Sequence, residues 1–220
     1  MHKLVKQFVK TCEICKLEKY DRHPQKDLPV KTPIPQYPGE IVHVDIFAFN
    51  QNSIFLSSVD KLSKFVKVKP IKSKSILDIQ EPLLELLYDW DVPSMIVLDN
   101  ERTFTSEIIE QRIRNLGITI FKTPINHSET NGQIERVHST IREIIRCTRN
   151  IDNLANFSIN DIIQLAVHKY NNSIHTFTKD TPKNIYTGTN TENLSIADFA
   201  RQKQENLDRV IKIFERKMKR

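Results

Sequence analysis

The run Ile41-Val42-His43-Val44-Asp45-Ile46-Phe47-Ala48-Phe49 restricts this chain more than any other segment. β-Branched and aromatic residues follow one another almost without a break, which predicts a strand buried on both faces, at the centre of a sheet covered by helices. A linker from Pro29 to Gly39, with Pro33, Pro35 and Pro38 inside it, precedes the run. Prolines there forbid regular structure. Asp45 lies in the middle of the apolar run. A carboxylate in such a place is expensive to strip of water, and such groups persist when paired, hydrogen-bonded or ligating a cation. A structural bond to a neighbour and a bound cation both meet that requirement.

Periodicity supplies the remaining elements. Ser53 to Val59 and Lys64 to Val68 read as further strands, with Val66 and Val68 alternating with Lys67 and Lys69 as on a half-exposed edge. Ile76, Ile79, Leu83, Leu86 and Leu87 carry helical spacing over 75–90, where Pro82 is expected to kink or split the element. A short buried strand from Ser94 to Leu98 ends at Asp99, a helix over 105–116 is closed by Gly117, and Ile118 to Phe121 forms another strand. A polar loop, Asn126 to Gly132, leads into a helix over 133–149, and 161–170 and 196–217 are helical. Three strands, then alternating helices and strands, then helices, give an α/β fold with a mixed sheet flanked by helices.

Composition narrows the function classes. A chain of 220 residues, 39% hydrophobic and 27% charged, has room for one main domain of ordinary globular character. No apolar stretch reaches the roughly 20 residues of a membrane span, and the N-terminus lacks a signal-peptide apolar region. An intracellular protein with no membrane partner is therefore expected. Three cysteines cannot build a disulfide framework, so Cys12-Glu13-Ile14-Cys15 is better suited to a metal, and Cys147 is expected as buried packing. The net charge of +6 is uneven: residues 1–31 carry +4, residues 201–220 carry +5 and the body between them carries −3. Two basic arms suit a polyanionic partner, and they equally suit solvated helices.

Asp99 ends a strand, where site residues of open sheets usually lie, although a cap or turn would also use an aspartate there. On the helix over 133–149, Ile134, Val137, Ile141, Ile144, Ile145 and Thr148 align as one stripe, which is core. Glu135, Ser139, Arg142 and Arg146 align as a second stripe about a quarter-turn away. That column reads either as a ligand leading a row of phosphate contacts or as a solvated face. Asp45, Asp99 and Glu135 share a reason in Mg2+ or Mn2+, hard cations that take oxygen ligands. Two such ions about 4 Å apart can activate an attacking oxygen and stabilise a leaving one at phosphorus.

These residues resemble a known family. Asp99 and Glu135 are separated by 35 residues, and His43-Val44-Asp45, Val97-Leu98-Asp99-Asn100 with Thr105, and Asn126-His127-Ser128-Glu129-Thr130-Asn131-Gly132-Gln133-Ile134-Glu135-Arg136-Val137-His138 follow in order. This set is similar to the catalytic core of integrases from retroviruses and gypsy-like LTR retrotransposons. Thr181-Pro182-Lys183-Asn184-Ile185-Tyr186-Thr187-Gly188 is similar to that family's closing segment. The resemblance implies a ribonuclease-H-like mixed five-stranded sheet flanked by helices, and an integrase acting by metal-dependent phosphoryl transfer. Element DNA ends would be trimmed and joined to target DNA in the nucleus by a homo-oligomer. It implies Asp45, Asp99 and Glu135 as catalytic metal ligands, and Asn131, Gly132, Gln133, Ser139, Arg142 and Arg146 as nucleic-acid contacts, with a flexible loop around Gly132 bordering the site.

Organised this way, residues 1–28 are a remnant of a zinc-binding module, 29–190 the core and 191–220 a basic helical tail. Cys12 and Cys15 match the second half of that module, but the upstream histidine pair at family spacing is absent, so the zinc site is expected to be incomplete. Glu101 stands where the family often has glycine, adding a charge beside the acids. Too few residues follow Gly188 for the family's C-terminal DNA-binding domain. The chain is therefore expected to be a piece of a polyprotein, a truncated copy or a host gene derived from one. The alternative to an enzyme is a domesticated, non-catalytic nucleic-acid-binding protein.

Overall fold

A computed structural model of the chain describes residues 3, 5, 8, 11, 12, 32–50, 52–123, 128–151, 157–188 and 196–218. Five strands, β1 (Ile41–Asn50), β2 (Ser53–Asp60), β3 (Val66–Ile71), β4 (Met95–Leu98) and β5 (Thr119–Lys122), form one sheet in the order β3-β2-β1-β4-β5. β1, β2 and β3 pair antiparallel, whereas β4 and β5 run parallel to β1. Parallel neighbours need crossovers, and α1 (Ile76–Asp89) and α2 (Glu107–Asn115) supply them. The chain continues through α3 (Ser128–Ile151), α4 (Ile159–Asn171), α5 (Pro182–Thr187) and α6 (Ile196–Met218).

Alternation along β1 divides the core. Val42, Val44 and Ile46 pack with Leu56 against Ile79, Leu83, Leu86 and Leu87 of α1 and Ile109 and Ile113 of α2. Phe47 faces the other way, with Phe55, Val59, Val66 and Val68, against Ile134, Val137, Ile141 and Ile145 of α3 and Ile162, Ile163, Ala166 and Val167 of α4. Asp45, two residues before Phe47, shares the face covered by α3. The central run is thus buried on both faces, as its composition predicts.

Helix boundaries follow local chemistry. Ser75 caps α1 by accepting from the Asp78 N–H, Ser106 caps α2 through Ile109, and Ser158 and Asp161 form a reciprocal capping box on α4. Gly117, just past α2, takes φ +77°, which a side chain would oppose. Two expectations need correction. Of the two outcomes expected at Pro82, a kink or a split, the split does not occur: Pro82 sits inside a single helix whose Ile79, Leu83, Leu86 and Leu87, on either side of it, are all held in the core. The polar segment ending at Gly132 is not a loop throughout, since α3 already begins at Ser128.

A third apolar cluster joins distant parts of the chain. Leu62, between β2 and β3, meets Ile34 of the proline linker, Ile185 of α5, Phe177, and Leu207, Val210, Ile211 and Phe214 of α6. The buried Lys64, at φ +68°, donates to the Lys61 carbonyl at 2.6 Å and to Gln133 Oε1 at 2.8 Å. Its ammonium stands 4.5 Å from the Phe214 ring centre and 5.1 Å from that of Phe177. The basic terminal helix is therefore docked, not a solvated arm. Tyr186, in the closing motif, stacks on Phe65 at 4.7 Å and meets Trp90 edge-on at 5.2 Å, which seals α5 against the sheet.

Phe214→Ala should cost about 3–5 kcal/mol of unfolding free energy, as for other buried phenylalanines. Urea denaturation measures it. A loss below about 0.5 kcal/mol, typical of surface positions, would show that α6 does not dock.

Candidate active site

Strand register brings two of the acids together. Val44 of β1 pairs with Leu98 of the parallel β4. Asp45 and Asp99 are each one residue further on, so they sit side by side at about the 4.8 Å spacing of neighbouring strands. Asp45 lies within β1 and its side chain is 17% exposed, whereas Asp99 follows the last residue of β4 and is exposed. The Ile46 N–H donates to Asp45 Oδ1 at 2.7 Å, and the Asn100 N–H donates to Asp99 Oδ1 at 2.7 Å. Each carboxylate is therefore steadied by the backbone that follows it.

Glu135 reaches the same region from α3. Ile134 and Val137 are buried against the sheet, while Glu135, Ser139, Arg142 and Arg146 are exposed, so the two stripes lie as the helical spacing predicts. Burial pushes the Asp45 carboxyl up to about 6; the Ile46 N–H opposes this, and the charges of Asp99, Glu101 and Glu135 add to it. Three acids from two other elements thus bear on Asp45. Among the described residues no three carboxylate, imidazole or thiol groups close into a finished cation cage.

Glu101 is anchored. Its carboxylate meets Lys74 Nζ at 2.8 Å, and Thr103 Oγ1 donates to the Lys74 carbonyl at 2.9 Å, so the turn after Asp99 is tied to the N-terminal approach to α1. The extra charge that departs from the family pattern has a partner.

Two groups that sequence reasoning passed over stand beside Asp45. His138, one turn beyond Glu135, is 6% exposed. Its Nε2 lies 2.6 Å from Ser57 Oγ, its Nδ1 lies 3.8 Å from Asp45 Oδ2, and its ring centre is 4.8 Å from that of Phe47. Burial, then the Arg142 charge, push it down to about 4, so it is neutral near pH 7. Ser57, opposite Asp45 on β2, is fully buried and donates to the Asp45 carbonyl at 3.0 Å. The sequence signal for His138 was its place on the α3 stripe one turn after an acid; Ser57 left none.

The remaining candidates differ in placement. Arg142 donates from Nη2 to the Ala48 carbonyl at 2.9 Å and lies 4.7 Å from the Phe47 ring centre, which holds its guanidinium beside the end of β1. Ser139 and Arg146 are open to solvent. Gln133 turns toward the fold, accepting from Lys64 and donating to the Asp60 carbonyl at 3.3 Å. Gly132 is helical, with its carbonyl bonded to Arg136 Nε at 2.8 Å, and nothing lies within 4 Å of where a Cβ would stand. The Asn131 side chain and all of Cys15 fall outside the described residues, and Cys12 is half-buried. Cys147 is exposed, not buried, because it lies roughly 140° around α3 from Ile134. It borders a groove with Glu143, Thr148, His168 and Lys169.

No protein-family model matches the chain. Curated relatives do. The chain is 38% identical over 203 residues to the retrovirus-related Pol polyprotein from transposon opus of Drosophila melanogaster, covering 91% of the chain and 20% of that protein. It is 38% identical over 212 residues to the Pol polyprotein from transposon gypsy of the same organism, covering 95% of the chain and 20% of that protein. The chain therefore spans about a fifth of the length of these relatives. Among solved structures, the catalytic core domain of BIV integrase superposes with a TM-score of 0.57 at 21% identity, covering 68% of this chain and 94% of that one. A simian T-cell lymphotropic virus intasome chain gives 0.66 at 17%, covering 89% and 70%. The HTLV-2 integrase core in complex with magnesium, in its trimeric form, gives 0.57 at 17%, covering 68% and 97%. The sheet and its helices are thus the ribonuclease-H-like fold of those cores.

The raised pKa of Asp45 predicts a stability change. Folding holds this proton more tightly than the unfolded chain does, so stability falls as pH rises from about 4 to about 6 and Asp45 ionises. Asp45→Asn should then exceed the parent chain by up to about 3 kcal/mol above pH 6 and converge with it below pH 4. Unfolding free energies at pH 4 and 7.5 test this, and a difference that does not change with pH contradicts it.

Proposed function

We propose that this chain, homologous to Pol polyproteins of gypsy and opus and built on the fold of retroviral integrase cores, is a metal-dependent polynucleotidyl transferase. In this reading it processes the DNA ends of a mobile element and joins them to target DNA in the nucleus. The observation that carries the reading is the register of β1 on β4, which sets Asp45 beside Asp99 on the face that α3, with Glu135, covers.

The donor set suits Mg2+ or Mn2+. Asp45, Asp99 and Glu135 offer only oxygen, and the groups whose charge bears on Asp45 are all acidic. These three side chains would hold the cation. When bound, such ions stabilise both the attacking and the leaving oxygen of an in-line displacement at phosphorus.

The chain's own residues supply position and charge. β1 holds Asp45 within a rigid strand and β4 places Asp99 directly after its last residue, which limits how far either carboxylate can wander. Arg142 has used one N–H on Ala48 and keeps others for a phosphate, with its plane fixed by Phe47. Ser139 and Arg146 extend the same face for further backbone contacts, which position DNA without reading its sequence. Self-association, as in the trimeric HTLV-2 core, would place more than one such face on the DNA.

End-processing and strand-joining assays on short duplexes test the proposal. With Mg2+ or Mn2+ the chain should cut and join DNA, and Asp99→Asn should lower the rate by at least about 100-fold, more than the loss of an outer-shell partner usually costs. A chain that binds DNA with the usual salt dependence, yet neither cuts nor joins with either metal, would point to the non-catalytic reading.

A further inference from the structure

Asp45, His138 and Ser57 stand in the atomic order of a hydrolytic triad, but Ser57 is fully buried and no substrate can reach its hydroxyl. The arrangement must serve something other than nucleophilic attack. Ser57 Oγ lies 3.0 Å from the Asp45 carbonyl and 2.6 Å from His138 Nε2, and its one proton can serve only one of them well. If Nε2 carried the imidazole proton, the Nδ1 lone pair would face the Asp45 carboxylate across 3.8 Å, an unfavourable pairing. If Nδ1 carries it, the N–H points toward that carboxylate and Ser57 donates to Nε2. The second arrangement spends the Ser57 proton on the shorter, 2.6 Å contact and gives up the 3.0 Å bond to the Asp45 carbonyl, but it sets a donor rather than a lone pair against the carboxylate.

We propose that His138 is a positioning residue for Asp45, presenting Nδ1–H to its carboxylate and so fixing the face this acid turns toward Asp99 and Glu135. The inference rests on the reading of Asp45 as a metal ligand. Imidazoles and carboxylates commonly orient one another around metals, although usually with the histidine as the ligand. Here the order is reversed: the carboxylate is the ligand and the buried ring is its support.

Geometry explains why α3 carries this residue. Ile134, Val137 and Ile141 bring one face of the helix onto the sheet, and His138 enters the same packing against Phe47. Glu135 lies one turn earlier on the same helix. A single ring thereby ties the strand bearing one acid to the helix bearing another. Any shift of α3 along the sheet would move Glu135 and the Asp45 support together. Arg142, one turn later, packs on the Phe47 ring as well and is the charged group that faces His138. A variant test must therefore leave Arg142 in place.

The test combines the ring's proton position with Mn2+ affinity. Nitrogen-15 correlation spectra of the full chain should show His138 as the Nδ1–H tautomer; an Nε2–H signature overturns the proposal and requires no variant. Calorimetric Mn2+ titration should show about ten-fold or more weakening in His138→Leu, the lower end of what outer-shell losses cost. His138→Asn, whose amide N–H can take the place of Nδ1–H, should recover most of it, whereas His138→Gln should not. In the Asp45→Asn background, His138→Leu should add nothing. Thermal melting without metal confirms that each variant folds. If Asp45→Asn leaves Mn2+ affinity unchanged, the metal reading itself fails. If Asp45→Asn weakens binding but His138→Leu does not, or weakens it equally in both backgrounds, the positioning role alone is overturned.

Discussion

Placing a carboxylate inside the central strand of an apolar sheet costs free energy that the rest of the fold must offset. Asp45 is mostly buried, its proton is held up to about 6, and three further acids bear on it from the turn after β4 and from α3. The packing around the site supplies that offset. β1 is paired on both sides, and its two faces are covered by separate layers of helix. The Ile46 N–H donates to the Asp45 carboxylate, and the His138 ring, held by Ser57, stands beside it.

From that constraint the architecture can be read outward. β4 must lie parallel to β1 for Asp99 to stand beside Asp45, and parallel pairing requires the α1 crossover. α3 must lie across the sheet for Glu135 to approach, and its buried stripe, with Gln133 bonded to Lys64, fixes its place. Lys64 in turn lies against the touching rings of Phe177 and Phe214, so the packing of α6 and the start of α3 share one side chain. The terminal helix and the start of α3 are thus joined through Lys64.

Much of this was legible in the amino-acid sequence because its signals were local. The apolar run of β1, the alternation of Val66 and Val68 on the edge strand, and the two stripes of α3 are periodicities that tertiary contacts had no reason to override. The 35 residues between Asp99 and Glu135, with the motif blocks around them, pointed to the integrase-core fold that the structural comparisons bear out. The misses have several causes. Pro82 looked like a breaker, but the core packing of its neighbours holds α1 together. The segment before Glu135 looked like loop, yet helix begins at Ser128. Cys147 was assigned to the core although its angle on α3 places it in solvent. Ser57 was unreadable, because its role depends on the register of β2 against β1.

The central claim, that Asp45, Asp99 and Glu135 form one cation site, is tested most directly by anomalous diffraction from crystals containing Mn2+. The account predicts a peak about 2 Å from carboxylate oxygens of both Asp45 and Asp99, with Glu135 oriented toward it. Manganese found only elsewhere on the surface, with these carboxylates empty at saturating metal, would contradict it.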